Sequence, residues 1–568
     1  MMKKRKAHLL GLALTVLLLV GITALAQAAP PTLRFVWTVG EEEVSITLHD
    51  KGSQGLFLFL PAALNGQDPV VRIDQEVELL WGEESFPTGA RVPVEKYVGQ
   101  QVEAGWSDGR RLGPVTIMRG SEIPALFFTL DPDEYARILK GTKFDIRKPG
   151  SLVMLDGDGS LEMAAEIPSF KTRGNSTFYA SKKPFQFRLE KKEPLAGMQK
   201  NKTWILLANW FDISLIRDQM IFDLCREIGM SSTPDCRQTD LYVNGAYLGT
   251  YLLTEKIQIK KGRLEITDLE ETLESLNGAE AYEAAQFKKG KGSTLTRLRW
   301  FDVKEPTDIT GGFLLEIEKE LQYSKMTSAP GFVTDAGMCV VVKEPSHAGF
   351  REVDYIGTLI NDFHNGLLQP DGISKATGKH YSSYIDMRSF GLKIALEEFT
   401  CNFDVRASSQ FLYKDSDRAD ARVFAGPAWD YDLSCGNKDD GPRNPQKKDY
   451  VLNRSTSEVY IYHWLLTHAD FQMVTRQLFD EVFLPAARVL TGEAESAPGS
   501  PLRTVEAYQG AIRESAAMNF TRYSARAIPD VWDGSGRTFE EAGAFVKNWV
   551  SVRLATLADS WLKDNTEK

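Results

Sequence analysis

The chain is poor in the residues from which metal centres and redox sites are built. It has five cysteines and seven histidines in 568 residues. Cys225, Cys236, Cys339, Cys401 and Cys435 form an odd-numbered set with no zinc-binding spacing, and no H-E-x-x-H or similar histidine cluster occurs. The common zinc enzymes are therefore excluded. Cys225 and Cys236 are the nearest pair should a disulfide form, but a chain of this size favours buried thiols acting as small apolar residues. A basic surplus is also missing. The formal charge is −10, which argues against a general nucleic-acid binder, since such a protein needs a basic face. Beyond Leu25 no apolar run is long enough for a membrane-spanning helix. Asp156-Gly157-Asp158-Gly159 offers an acidic Gly turn without the other ligands or the terminal Glu of an EF-hand, and it reads as a hairpin turn.

What is present starts with a leader. Met1-Met2-Lys3-Lys4-Arg5-Lys6 precedes an apolar run from Leu9 to Leu25, with small residues at Ala24, Ala26 and Ala28 before Pro30-Pro31. A basic head, an apolar stretch and A-x-A sites are the pattern of a secretory signal peptide over residues 1–29. No Cys follows the run, which argues against a lipoprotein anchor. The expectation is a secreted or cell-surface protein with no stable membrane anchor after cleavage. Losing the leader's four positive charges takes the net charge from −10 to −14.

Residues 30–122 read as β. Leu33–Val39 and Glu43–Leu48 alternate in part, and Gly- and Pro-containing turns separate short strands. A small β-sandwich-like domain without evident chemistry is expected, preceding a main α+β domain over 123–568. In that domain Asn244-Gly245 lies between two alternating runs and signals a tight hairpin. Helices are expected over Asp131–Lys140, from Asp212 or Ser214 to a C-cap at Gly229, from Arg351, and over Asp386–Thr400. Residues 270–299 are polar and read as a mobile insertion.

Three stretches carry candidate chemistry. Ala425-Gly426-Pro427-Ala428-Trp429-Asp430-Tyr431-Asp432 ends an apolar strand in two carboxylates at i and i+2, hard donors suited to Mg²⁺ or Mn²⁺ beside phosphates. Read alone, Asp430 equally suits a turn cap and Asp432 a helix start. Arg173-Gly174-Asn175-Ser176-Thr177 with Lys182-Lys183 can cradle phosphates or can be an ordinary hairpin with solvated lysines. Arg217 suits a phosphate as well as an ion pair with Asp212 or Asp218.

Taken in order, Arg173-Gly174-Asn175-Ser176 with Lys182-Lys183-Pro184, Asn209 to Arg217, Leu241-Tyr242-Val243-Asn244-Gly245 to Thr254-Glu255-Lys256, Gly311-Gly312-Phe313 and Trp429-Asp430-Tyr431-Asp432 resemble the CotH family. These are the spore-coat-protein-H-like atypical secreted kinases, and the resemblance spans about Pro124 to Ser560. It implies a divergent two-lobed protein-kinase-like domain that moves the γ-phosphate of ATP, with Mg²⁺ or Mn²⁺, to Ser or Thr of a secreted, surface or spore-coat protein, this chain included. By position, Asp404 resembles the catalytic Asp, Asp430 the metal-binding Asp, and Asp432 a second ligand. Lys183, or alternatively Lys182, resembles the ATP lysine. Arg173, Asn175 and Ser176 resemble the phosphate-covering loop, and Glu255 the adenine-contacting hinge. Kinases place an Asn about five residues after the catalytic Asp. Here that zone has none, and Gln410 or Asn402 is left to supply the metal donor. The alternative implied by that departure is a non-catalytic pseudokinase serving as a structural protein of the surface or coat.

Overall fold

The computed structural model describes residues 30–141, 147–174, 176–230, 232–406, 409–438, 444–447, 449–524 and 537–563. The expected leader and Asn175 lie outside them.

Residues 33–119 build two sheets. One orders Glu42–Ile46, Leu33–Val39 and Val70–Ile73; the other has six strands running from His49–Asp50 to Glu84–Phe86. Alternation puts Phe35, Trp37, Leu58, Trp81 and Val115 into one shared core, where Phe35 meets Trp81 edge-on at 5.5 Å. That core also contains Phe127, Tyr242 and Tyr247 of the following barrel. The turn at Asn244-Gly245 is docked as well, with Thr47 N donating to Gly245 O at 2.9 Å.

The barrel closes through seven strands: Ala125–Leu130, Lys148–Leu155, Leu161–Thr172, Phe185–Glu193, Asn201–Leu207, Ala246–Glu255 and Cys236–Val243. Its last strand pairs in parallel with its first, and the other pairings are antiparallel. Asn244 and Gly245 both have positive φ, 51° and 82°. Those values are what a two-residue turn needs to match the twist of the strands.

A second antiparallel sheet follows, ordered Gln286–Gly290, Leu298–Asp302, Gly331–Val333, Cys339–Glu344, Phe313–Glu318, Gln410–Lys414 and Val423–Ala425. Helices cover it, among them Phe350–Leu367 and Met387–Thr400. Residues 270–299 are part of this layer rather than a mobile insertion. They form the helices Leu269–Asn277 and Ala279–Glu283 and the sheet's first two strands. Leu273, Tyr282, Leu295 and Leu298 anchor them in the main core; these few apolar residues, spread through a polar stretch, are enough to hold it.

The helix Met387–Thr400 is buried almost all round, so it shows no amphipathic face to give it away. Asp386 caps it, accepting from Ser389 N at 2.7 Å. It ends at Cys401 in the left-handed region and passes into the 3₁₀ turn Phe403–Arg406 that carries Asp404. Glu398, near its end, is fully buried and accepts from Arg553 of the C-terminal helix Phe539–Ser560 at 2.6 Å and from Tyr450 N and Val451 N at 2.8 Å each. All five cysteines are buried free thiols. No described helix is long and apolar enough to cross a membrane.

Candidate active site

A cleft of about 660 Å³ opens between the barrel and the second sheet. Charges of both signs line it, among them Lys343, which pairs with Glu316 at 2.9 Å. From the barrel come Lys171 and Arg173, at the end of the strand Leu161–Thr172, with Lys256 just past the strand Ala246–Glu255. From the other side come Asp218, Asp404, Asp430 and Asp432, with Glu316 on the sheet. Ile205, Leu207, Ile257, Leu314, Phe411 and Leu433 supply apolar wall.

The acid floor is held by backbone contacts. Asp430 sits at φ 69°, in the left-handed region, and its Oδ2 accepts from Ser409 Oγ at 2.9 Å. The next residue, Tyr431, donates its N–H to Asp218 Oδ1 at 2.7 Å. Tyr431 OH is buried between Lys393 Nζ, at 2.8 Å, and Glu397 Oε1, at 2.7 Å, both on the helix Met387–Thr400. Asn437 Nδ2 donates to Asp432 O at 2.6 Å and Phe211 O at 2.7 Å. Arg217 is wholly buried; it pairs with Asp212 and donates to Ser434 O at 3.0 Å. Of its two sequence-level readings, the ion pair is the one formed. Asn402 Oδ1 accepts from Asp404 N at 3.1 Å, which fixes the turn that presents Asp404.

Burial and mutual repulsion raise these carboxyls. Asp218 is pushed up to about 8, by desolvation first and then by Asp430. Asp430 is pushed up to about 6, by desolvation and then Asp404. Asp432 lies well above the carboxylate range for the same reasons. Asp404 is raised by burial, with Lys319, 3.7 Å away, working against the shift. The opposite wall shows the mirror image. Lys171 is lowered to about 8 by burial and by Arg147, Lys256 and Arg173. Arg173, which lies over the Trp429 ring at 5.3 Å, is lowered to about 10 by burial. Lys171 is crowded by cations and the aspartates by one another, while Arg173 stands between, its charge favoured by Asp430, Glu316 and Asp218. A metal–nucleotide complex relieves both, because its phosphates suit the cations and its metal the acids.

Among the described residues no three His, Cys, Asp or Glu side chains stand close enough together to hold a metal by themselves. Mg²⁺ or Mn²⁺ bound with a nucleotide needs only one or two carboxylates, the rest of its shell being phosphates and water. Asn209, another lining residue, has a buried Oδ1 with no hydrogen-bond partner among the described residues, a further neutral oxygen donor at the site.

The cleft gathers Arg173, Ser176, Asp404, Asp430 and Asp432 from the sequence-based set. It does not gather Lys182, Lys183, Glu255 or Gln410. Lys183 Nζ donates to Phe178 O at 2.6 Å and lies over the Phe178 ring. Lys182 is buried against the barrel's outer face, donating to Thr250 O near Asp240, and burial lowers it to about 7. Glu255 is ion-paired with Arg263 and accepts from Asp235 N at 3.0 Å. Gln410 is buried in the sheet, opposite Ile317; the neighbouring Ser409 is the residue that reaches Asp430. Asn175 lies outside the described residues. Sequence reasoning missed Lys171, Asp218, Lys256 and Glu316. Lys171 stands two residues before Arg173 on one strand, and that i, i+2 spacing was the available signal.

The family model described as CotH kinase protein matches residues 170–557. No curated protein matches the chain.

Proposed function

Since the chain belongs to the CotH kinase family, we propose that it is an atypical kinase, exported by its leader, that transfers the γ-phosphate of ATP to a Ser or Thr hydroxyl of a secreted, surface or coat protein. The observation that carries this reading is the gathering in one cleft of Lys171, Arg173 and Lys256 with Asp404, Asp430 and Asp432, whose carboxyls burial raises. In this reading the barrel is the nucleotide lobe, and the sheet-and-helix layer is the catalytic lobe of a kinase-like pair.

Lys171, Arg173 and Lys256 receive the phosphates, and the adenine enters among Ile205, Leu207 and Ile257. Asp430, with Asp432 or Asp218, would hold Mg²⁺ or Mn²⁺, which supplies charge neutralisation to the phosphates. Asp404 takes the proton of the acceptor hydroxyl as its oxygen bonds to the γ-phosphorus and the bond from phosphorus to the β–γ bridging oxygen breaks, releasing ADP. Its raised pKa makes it a better proton acceptor than an ordinary aspartate. Lys319 stands beside it to balance the charge.

The test is intact-mass and phosphopeptide analysis after incubation with ATP and Mn²⁺, with Asp404→Asn and Asp430→Asn alongside. Phosphate on Ser or Thr in the parent and on neither variant supports the reading. No phosphate on the parent or on a generic acceptor, despite stabilisation by ATP, replaces it with a nucleotide-binding pseudokinase.

A further inference from the structure

A second, larger cavity of about 1090 Å³ lies beside the first, and Lys256 and Ile257 line both. Its charge is opposite to that of the chain. Seven Lys and Arg side chains line it against three Asp and Glu, in a protein of net charge −10. The three acids are already engaged. Asp235 is paired with Arg237 at 2.6 Å and Arg226 at 3.5 Å. Glu255 is paired with Arg263, and Glu265 accepts from Gly262 N at 2.6 Å. Lys192, Lys200 and Lys261 are exposed at its rim and have no ion-pair partner among the described residues.

Arg263 makes this more than a patch of surface lysines. Its side chain is 2% exposed and stacks on the Trp204 ring at 4.8 Å. Its Nε and Nη2 find no hydrogen-bond acceptor among the described residues. The guanidinium is held by Glu255 on one side and the indole on the other, so it fixes the cavity's inner wall, and the exposed lysines of the rim are the charges left for an acidic ligand.

We propose that this cavity docks an acidic segment of the polypeptide that is phosphorylated, Glu- or Asp-rich and lying outside the acceptor site. Naming that segment as part of the substrate rests on the kinase reading above; the site itself does not. Three features select a peptide over a small anion. The cavity exceeds the nucleotide cleft in volume, its cations are spread from wall to rim, and it is the cleft's neighbour, sharing Lys256 and Ile257 with it.

Fluorescence anisotropy of a labelled dodecaglutamate peptide tests the site without catalysis. The parent and Asp430→Asn bind it alike, binding weakens with added salt, and Lys200→Glu with Lys261→Glu raises Kd about tenfold or more. Equal affinity in that double variant overturns the proposal, as does equal binding of dodecalysine. Pyrophosphate protecting the cavity where the peptide does not also overturns it. A second arm fuses the acidic tract to an acceptor peptide. KM falls about tenfold with the parent at unchanged kcat, and the fall is absent in the double variant. Binding without any phosphotransfer removes the kinase reading and leaves the acidic-segment site standing; phosphotransfer without binding does the reverse.

Discussion

The two cavities share Lys256 and Ile257 in their walls and place their charges in different ways. In the cleft the acids are buried and repel one another, so their pKa values are moved by burial and by their neighbours. In the adjoining cavity Asp235 and Glu255 are paired with arginines, Glu265 accepts a backbone N–H, and Lys192, Lys200 and Lys261 stand in water. Charges buried together are a reservoir that only a ligand discharges. Charges in water cost the fold little and steer a partner instead. The first kind governs chemistry and stability, the second affinity.

That contrast fixes an order of effects. The largest is catalytic: Asp404→Asn lowers kcat by about 10²–10⁴-fold and leaves the ATP-dependent thermal shift in place, whereas the Lys200→Glu, Lys261→Glu variant keeps the parent's kcat on a short acceptor. Next comes the support beneath the cleft floor. Glu398→Ala strands Arg553 in the core and costs about 3–5 kcal/mol in urea unfolding. Ligand linkage is third: ATP with Mn²⁺ at about 100 Kd stabilises the parent by about 2.7 kcal/mol. Chelation removes that gain, and Asp430→Asn shrinks it.

The fourth effect is a pH dependence. Asp430 is raised from 3.8 to about 6 on folding. Its contribution to stability is therefore fully present below 3.8 and is lost as pH rises through about 6. Melting temperatures followed across that window show the parent losing ground to Asp430→Asn, and Mn²⁺ with ATP reduces the loss. The smallest effect is that of reversing the two rim lysines, which shifts stability by no more than about 0.5 kcal/mol. If that reversal proved as costly as Glu398→Ala, the distinction between the two cavities would fail.

Local signals in the sequence were sound where the physics is local. The Asn244-Gly245 hairpin, the Asp131-capped helix Pro132–Lys140 and the strand leading to Asp430 need only turn chemistry, a cap and an apolar run. Gly229, at φ 86°, follows the helix Arg217–Glu227 as a C-terminal glycine should. The start of that helix was misjudged. Asp212 and Ser214 lie upstream of it in a buried loop, where Asp212 binds Arg217 N at 2.9 Å instead of opening the helix itself. The polar stretch 270–299 was misread because its strand Gln286–Gly290 is a sheet edge paired only with the neighbouring strand Leu298–Asp302, and a few buried residues, Leu273, Tyr282, Leu295 and Leu298, hold the segment.

At the site, the acid pair Asp430 and Asp432 and the loop at Arg173 were legible as residue types in order. The identity of the cleft's lysine was not. Lys182 and Lys183 stand in the more suggestive context, a paired run after a Gly loop, yet one is drawn into the barrel's outer seam and the other to Phe178 O. Lys171 sits in a plain strand and lines the cleft.

The sequence by itself determined the charge balance, the family, the local turns and caps, and which carboxylates are available, since each is a property of composition or of a few consecutive residues. Tertiary structure decided which cations meet those carboxylates, that Asp218 joins them, and that a basic cavity opens next door. Those outcomes depend on barrel closure and on packing between strands and helices distant in the chain, and an electrostatic environment is a sum over neighbours in space, which sequence order does not give.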